Sequence, residues 1–174
     1  MLRWTRAGSA ELMVLWLVFG SIFGVWNVFQ SPGLDFRLIA AGALFPLLLD
    51  APFRSQAYAH TLLSAVVVLT ITMAVTAGRG RRLRRRRALS LSIGWFTSLV
   101  LGAAWAHKEV FWWPAFGAAR PRAALLAPLP MLIVEEILGL AAAWWAWSRF
   151  GLADPARRSQ LWRTGRLAIE GGER

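Results

Sequence analysis

The sequence predicts an all-α fold, a polytopic membrane helix bundle with four full spans and one short or re-entrant helix. Hydrophobic residues make up 57% of the 174 residues and charged residues 17%, which is too little charge to cover a soluble domain of this length. Seven arginines lie between Gly78 and Ala88, with a long apolar run on each side. Eleven tryptophans and ten phenylalanines against one tyrosine are typical of aromatic belts at membrane interfaces.

Four largely uncharged stretches are long enough to be spans, for which about 20 residues are needed. Residues 12–34 form the first, which ends near Gln30 because Pro32 and Gly33 break it. The next two are 61–77, which is rich in β-branched residues, and 89–106, which follows the arginine cluster. The last is 124–147, interrupted by Pro128 and Pro130.

A fifth apolar stretch, residues 38–49, is shorter and is bounded by Arg37 and Asp50. At a rise of about 1.5 Å per residue it reaches only about 18 Å, against a hydrocarbon core of about 30 Å. We expect a short embedded or re-entrant helix here. If it is re-entrant, Arg3 and Arg6 lie inside the cell, and if it crosses fully, they lie outside, against the positive-inside tendency.

The arginine loop, residues 79–87, fixes the orientation, because arginines between spans stay in the cytoplasm. The sequence therefore predicts a multi-pass membrane protein with a cytoplasmic C-terminus. Residues 1–150 form the transmembrane domain and 151–174 a polar tail with a short amphipathic helix (Leu161, Trp162, Leu167, Ile169). Membrane lipids are the expected partners. The net charge of +11 does not indicate nucleic acid, since the arginines lie at span ends and in one loop.

Four polar residues are candidate ligands for a divalent metal such as zinc or manganese. Asp50 and His60 frame the connection after the short helix, and His107 and Glu109 follow the third full span. In the predicted topology all four lie near the non-cytoplasmic face. A metal bound there would supply an activated water, while ordinary capping and loop roles are the structural alternative.

Two adjacent carboxylates, Glu135 and Glu136, lie in the middle of the last span, where charge is costly. Neighbours on a helix point about 100° apart, so we expect one to meet a partner such as His60, Arg54 or Lys108 and the other to face a wet cavity. Catalysis as a general base and a structural interhelical bond are both open for them.

Several short motifs together resemble a known family. They are Ala43-Leu44-Phe45-Pro46-Leu47-Leu48-Leu49-Asp50, Ala59-His60-Thr61-Leu62-Leu63, Gly94-Trp95-Phe96-Thr97-Ser98-Leu99-Val100-Leu101-Gly102, Phe111-Trp112-Trp113-Pro114 and Trp162-Arg163-Thr164-Gly165-Arg166-Leu167. In this order they resemble the membrane-bound metal-dependent hydrolases, the YdjM-like, LexA-binding inner-membrane-associated group, in an actinobacterial form. The resemblance covers roughly residues 38–167 and implies that Asp50 and His60 occupy metal-site positions. It also implies a location in the bacterial inner membrane.

The departures from that family pattern are at Ser98 and Gly102, where the family has a histidine and an aspartate. The resemblance therefore implies an integral membrane protein with a hydrolase-like fold and a weakened or lost metal site. Two further hypotheses stay open. One is an active metal-dependent hydrolase acting on a lipid-linked or envelope substrate. The other is a non-catalytic subunit or a small proton-coupled transporter using Glu135 or Glu136.

Overall fold

The structure is a computed structural model, and it describes residues 14–31, 33–78, 82–117, 119–125 and 128–166. The predicted all-α class is confirmed. In chain order the helices are α1 (Trp16–Phe29, π-helical over Trp16–Gly20 and α-helical over Ser21–Phe29), α2 (Phe36–Asp50), α3 (Leu62–Val75), α4 (Arg82–Leu101), α5 (Lys108–Phe111), α6 (Leu129–Arg149) and α7 (Pro155–Thr164).

The connections contain short 3₁₀ turns at Ala51–Phe53, Tyr58–His60 and Ala104–Ala106. Two two-residue strands, β1 (Ser55–Gln56) and β2 (Ala123–Ala124), pair antiparallel. This strand pair ties the α2–α3 connection to the segment that precedes α6.

Helices α2 and α4 form the centre of the bundle and run parallel. At one end the Asp35 amide donates to Ser90 Oγ at 2.9 Å, and towards the other end Leu47 and Leu101 belong to one apolar cluster. Between these points the two backbones cross in close contact. A methyl group placed on Gly42 would overlap the Leu91 carbonyl, and one on Gly94 would overlap the Ile39 carbonyl.

The bundle therefore has two ends, which we name by their residues. The arginine end contains Asp35, Phe150 and Arg86, whose side chain approaches Gly33. The Asp50 end contains Asp50 and the cluster of Leu17, Leu47 and Leu132. Helices α1, α3 and α6 run from the Asp50 end to the arginine end, antiparallel to α2 and α4.

The tail helix α7 docks at the arginine end. The Phe36 amide donates to the Gly165 carbonyl at 2.8 Å, and Arg37 Nη1 donates to the Trp162 carbonyl at 2.6 Å. Leu161 packs against the cluster formed by Phe36 and its buried neighbours. The tail is therefore folded onto the bundle as far as Arg166, the last described residue. The predicted tail residues Leu167 and Ile169 lie outside the described residues, as do Arg3, Arg6 and the loop residues 79–81.

The prediction of four full spans is wrong. In the described part of the chain, two helical segments are long and apolar enough to cross a membrane, Phe36–Phe53 and Leu129–Arg149. Helices α1 and α3 are apolar but shorter. Helix α4 begins inside the arginine cluster and ends at Leu101, because Ala103 adopts a left-handed conformation (φ 51°) and the apolar residues after it leave the helix.

The stretch expected to be too short is one of the two that are long enough. Asp35 caps α2 by accepting from the Arg37 and Leu38 amides, so the helix begins at Phe36 instead of Leu38. The Arg37 side chain turns back to Asp35, with Nη2 3.1 Å from Oδ2, and its charge therefore does not interrupt the helix. Helix α2 therefore runs between both ends of the bundle.

Candidate functional site

The connection between α2 and α3 folds into a closed corner, which we call the Asp50 corner (residues 50–61). Asp50 ends α2, and after the Ala51–Phe53 turn Arg54 adopts a left-handed conformation (φ 52°) that is uncommon outside glycine. The β1–β2 pairing then holds Gln56. Thr61 starts α3 as its N-cap, since its Oγ1 accepts from the Ser64 amide at 3.0 Å.

The Asp50 carboxylate accepts three hydrogen bonds from this corner. Its Oδ2 accepts from the Ala57 amide at 2.6 Å and faces His60 Nδ1 at 2.6 Å, while Oδ1 accepts from the Ala59 amide at 3.3 Å. Asp50 is only 1% exposed. Because a buried carboxylate is costly unless it is hydrogen-bonded, these contacts explain how it is tolerated. Both oxygens are engaged by the chain itself.

His60 is also buried, and its Nδ1 faces Asp50. With Asp50 ionised, a neutral His60 donates its Nδ1–H to the carboxylate and leaves Nε2 as the basic ring nitrogen. Such a nitrogen can act as a base or as one metal ligand that a carboxylate orients. The structure therefore assembles the Asp50–His60 part of the predicted site.

A metal centre needs more than this pair, since zinc sites use three or four protein ligands. In the ranges that the structure describes, no group of three or more His, Asp or Glu side chains is placed to hold a metal. Both Asp50 oxygens already accept hydrogen bonds. The corner therefore supplies Asp50 and His60 as two candidate ligands, fewer than a zinc site uses.

Two residues that the sequence did not single out support the corner from α3 and α4. Trp95 Nε1 donates to the Ala59 carbonyl at 3.2 Å, and Ser64 Oγ donates to the same oxygen at 2.8 Å. They hold the carbonyl of Ala59, the residue whose own amide donates to Asp50. A Thr before an apolar helical run is a helix-start signal, so the role of Thr61 was accessible from sequence. The role of Trp95 depends on the fold.

Ser98, which stands at the family histidine position, is buried on α4 and directed into its own helix. Its Oγ donates to the Trp95 carbonyl at 2.7 Å. Gly102, at the family aspartate position, lies just beyond the end of α4 and donates its amide to the Ser98 carbonyl at 2.8 Å. Neither position presents a ligand to the corner.

His107 and Glu109 lie at the same end of the bundle as Asp50, but outside the corner. His107 precedes α5 and Glu109 lies within it, and both side chains are exposed. Helix α5 is held instead by Val110 and Phe111, which are buried. Of the four predicted metal ligands, the structure brings together Asp50 and His60.

Glu135 and Glu136 are both buried, at 6% and 7% exposure. The Glu136 carboxylate faces the backbone amides of Leu15 and Trp16. Glu135 Oε2 and Glu136 Oε1 have no hydrogen-bond partner in the described structure.

The expectation that one glutamate would meet His60, Arg54 or Lys108 is wrong for the described side chains, in which no such ion pair forms. The reason lies one turn further along α6. A methyl group on Gly139 would come within 2.6 Å of the Trp16 backbone nitrogen, so α1 packs directly on α6. This close contact covers both carboxylates, although they point in different directions from the helix.

Comparison of the chain with protein-family models, with curated proteins and with solved structures gives no match. The resemblance to the YdjM-like hydrolases therefore stays a prediction from the sequence.

Proposed function

We propose that the protein is an integral membrane helix bundle, similar in fold to the YdjM-like metal-dependent hydrolases, in which the Asp50–His60 pair stabilises the fold in place of holding a metal. The observation that supports this is the set of three hydrogen bonds from the corner to the buried Asp50 carboxylate. Full hydrogen bonding by the surrounding chain is what a buried structural carboxylate requires.

The burial of the long helices supports lipid as the surrounding solvent. Only 39% of the Phe36–Phe53 window and 33% of the Leu129–Arg149 window are buried, whereas the core helix of a soluble protein is mostly buried. The exposed faces carry large apolar side chains, such as Ile71 on α3 and Ile137 and Trp144 on α6. Apolar surface on this scale indicates contact with a membrane.

The charges support an orientation with the arginine end in the cytoplasm. Arg84, Arg85, Arg86 and Arg87 are exposed at the start of α4, and the tail helix docks at the same end. Arginines in short loops are retained on the cytoplasmic side. The Asp50 corner then lies at the opposite membrane face, where α1 begins.

In this proposal the corner performs no metal-dependent hydrolysis. The protein acts as a non-catalytic membrane component, with the plasma membrane of a bacterium as its location. Its contacts with lipid and with other membrane proteins are made by the exposed faces of α3 and α6.

Metal analysis of the detergent-purified protein tests the proposal. After equilibration with zinc or manganese and removal of free ion, we expect metal at background and no shift in the unfolding temperature, because a ligand that binds the folded state raises that temperature. Stoichiometric zinc or manganese in the parent protein, lost in His60→Ala and retained in His107→Ala, would contradict it.

A further inference from the structure

An apolar groove of about 630 Å³ lies between α1, α3 and α4. Helix α4 forms its floor, α1 forms one wall, and α3 forms the other. The lining includes Val25, Leu62, Leu69, Phe96 and Val100. Leu69, Phe96 and Val100 remain more than 40% exposed, so the groove is open to the surroundings along its length.

The few polar groups in the groove are used within the protein. Thr97 Oγ1 donates to the Ile93 carbonyl at 2.7 Å, and Ser92 Oγ donates to Thr72 Oγ1 at 3.2 Å. A polar ligand would find few free partners here, and its desolvation would not be compensated. A hydrocarbon chain has no such requirement.

The floor of the groove leads towards the arginine end. Its α4 positions (Ser92, Ile93, Phe96, Thr97, Val100, Leu101) form one helical face. Seven residues before Ser92 and Ile93, the same face presents Arg85 and Arg86, both exposed. The Arg85 guanidinium lies over Met73 Sδ near the end of α3, with Nη2 3.1 Å away.

Among the described residues, these two arginines have no acidic partner. The ion pairs in that part of the chain join Arg37 to Asp35, His60 to Asp50 and Arg157 to Asp154. Within the described chain, Arg85 and Arg86 are therefore unpaired cations beside the arginine-end opening of the groove, where a negative group would be complementary.

The length of the groove fits one lipid leaflet. The lining from Ser92 to Leu101 covers nine residue steps, or about 14 Å at the helical rise of about 1.5 Å, and half of the hydrocarbon core is about 15 Å. An acyl chain that lies in the groove would have its headgroup near Arg85 and Arg86.

We propose that this groove binds an anionic phospholipid of the cytoplasmic leaflet, with an acyl chain along α4 and the phosphate beside Arg85 and Arg86. The proposal rests on the membrane location given under the proposed function. It adds to that function a binding site for a lipid, the charge of the lipid headgroup and the leaflet in which the lipid lies.

Native mass spectrometry of the detergent-solubilised full chain tests the site, with phosphatidylglycerol and phosphatidylcholine as probes. The Arg85→Gln/Arg86→Gln variant should lose phosphatidylglycerol affinity by about thirtyfold, since each arginine contributes about 1 kcal/mol and about 1.4 kcal/mol is tenfold. Its phosphatidylcholine binding should be unchanged. Arg158→Gln/Arg163→Gln, on the exposed face of α7, is the matched charge control and should leave the affinity for both lipids unchanged.

A second variant fills the groove. Gly24 lines it, and a Cβ atom added there would meet no other atom within 4 Å, so Gly24→Leu should fold and should reduce the retention of both lipids. Ala141→Leu, on the exposed face of α6, is its control. Equal lipid retention in Gly24→Leu and the parent would overturn the proposal, as would a dimer in the parent that Gly24→Leu abolishes. Neither result depends on metal content. The lipid test can therefore fail while the metal analysis supports the proposed function, and the reverse is also possible.

Discussion

Replacing Asp50 by alanine is expected to lower the free energy of unfolding by about 3–5 kcal/mol, because the Ala57 and Ala59 amides and His60 lose their common acceptor and each unsatisfied buried donor costs about 1–3 kcal/mol. Asp50→Asn should cost less, since an amide oxygen can still accept from Ala57 and His60. The measurement is denaturant or thermal unfolding of the purified protein in detergent, followed by circular dichroism.

Glu109→Ala is the matched control for Asp50→Ala. Glu109 lies at the same end of the bundle with an exposed side chain, so its removal should change stability by less than about 0.5 kcal/mol. Equal stability of the Asp50→Ala and Glu109→Ala proteins would contradict the account. It would indicate that the Asp50 carboxylate is held ready for a ligand instead of stabilising the corner.

Replacing Gly94 by alanine is expected to destabilise the protein by about 2–3 kcal/mol, because the new methyl group overlaps the Ile39 carbonyl and forces α2 and α4 apart. Gly42→Ala should have a similar effect through the Leu91 carbonyl. Small residues allow this kind of close backbone approach between membrane helices. The readout is the same unfolding measurement.

Gly24→Ala separates this packing effect from the general effect of adding a methyl group to a helix. Gly24 lies inside α1 and has open space around its Cα. Its alanine variant should be neutral or stabilised by up to about 1 kcal/mol, since glycine weakens a helix interior. If Gly94→Ala were as stable as Gly24→Ala, the close crossing of α2 and α4 would be wrong.

The fold class was predictable because it depends on composition, whereas the span count depends on helix ends. Counting residues without charge placed the start of α2 at Leu38. The helix begins earlier because Asp35 caps it and Arg37 bends back to Asp35. The same count extended the predicted span 89–106 beyond Leu101, where α4 ends. Residues 102–106 are apolar, and nothing in them signals the left-handed conformation of Ala103.

The candidate site was predictable in part. The sequence placed Asp50 and His60 at one face, and the structure joins them at 2.6 Å. Their contact depends on the turn at Arg54 and on the pairing of Ser55 with Ala124, which is distant in sequence. Such long-range pairing has no local signal. His107 and Glu109 are exposed because α5 is anchored by its buried residues Val110 and Phe111.

The glutamates show a further limit of local reasoning. The 100° separation of adjacent residues predicted different environments for Glu135 and Glu136. The close approach of α1 at Gly139 buries both. A helix contact this tight cannot be inferred from the pattern of one helix alone.

The most direct test of the account is cysteine labelling in intact cells, because the chain contains no cysteine of its own. A membrane-impermeant maleimide should label Glu109→Cys, at the Asp50 end, in intact cells. It should label Arg84→Cys only after the membrane is permeabilised. Labelling of Arg84→Cys in intact cells, or recovery of the unmodified protein in the soluble fraction without detergent, would contradict a bundle that spans the membrane with its arginine end in the cytoplasm.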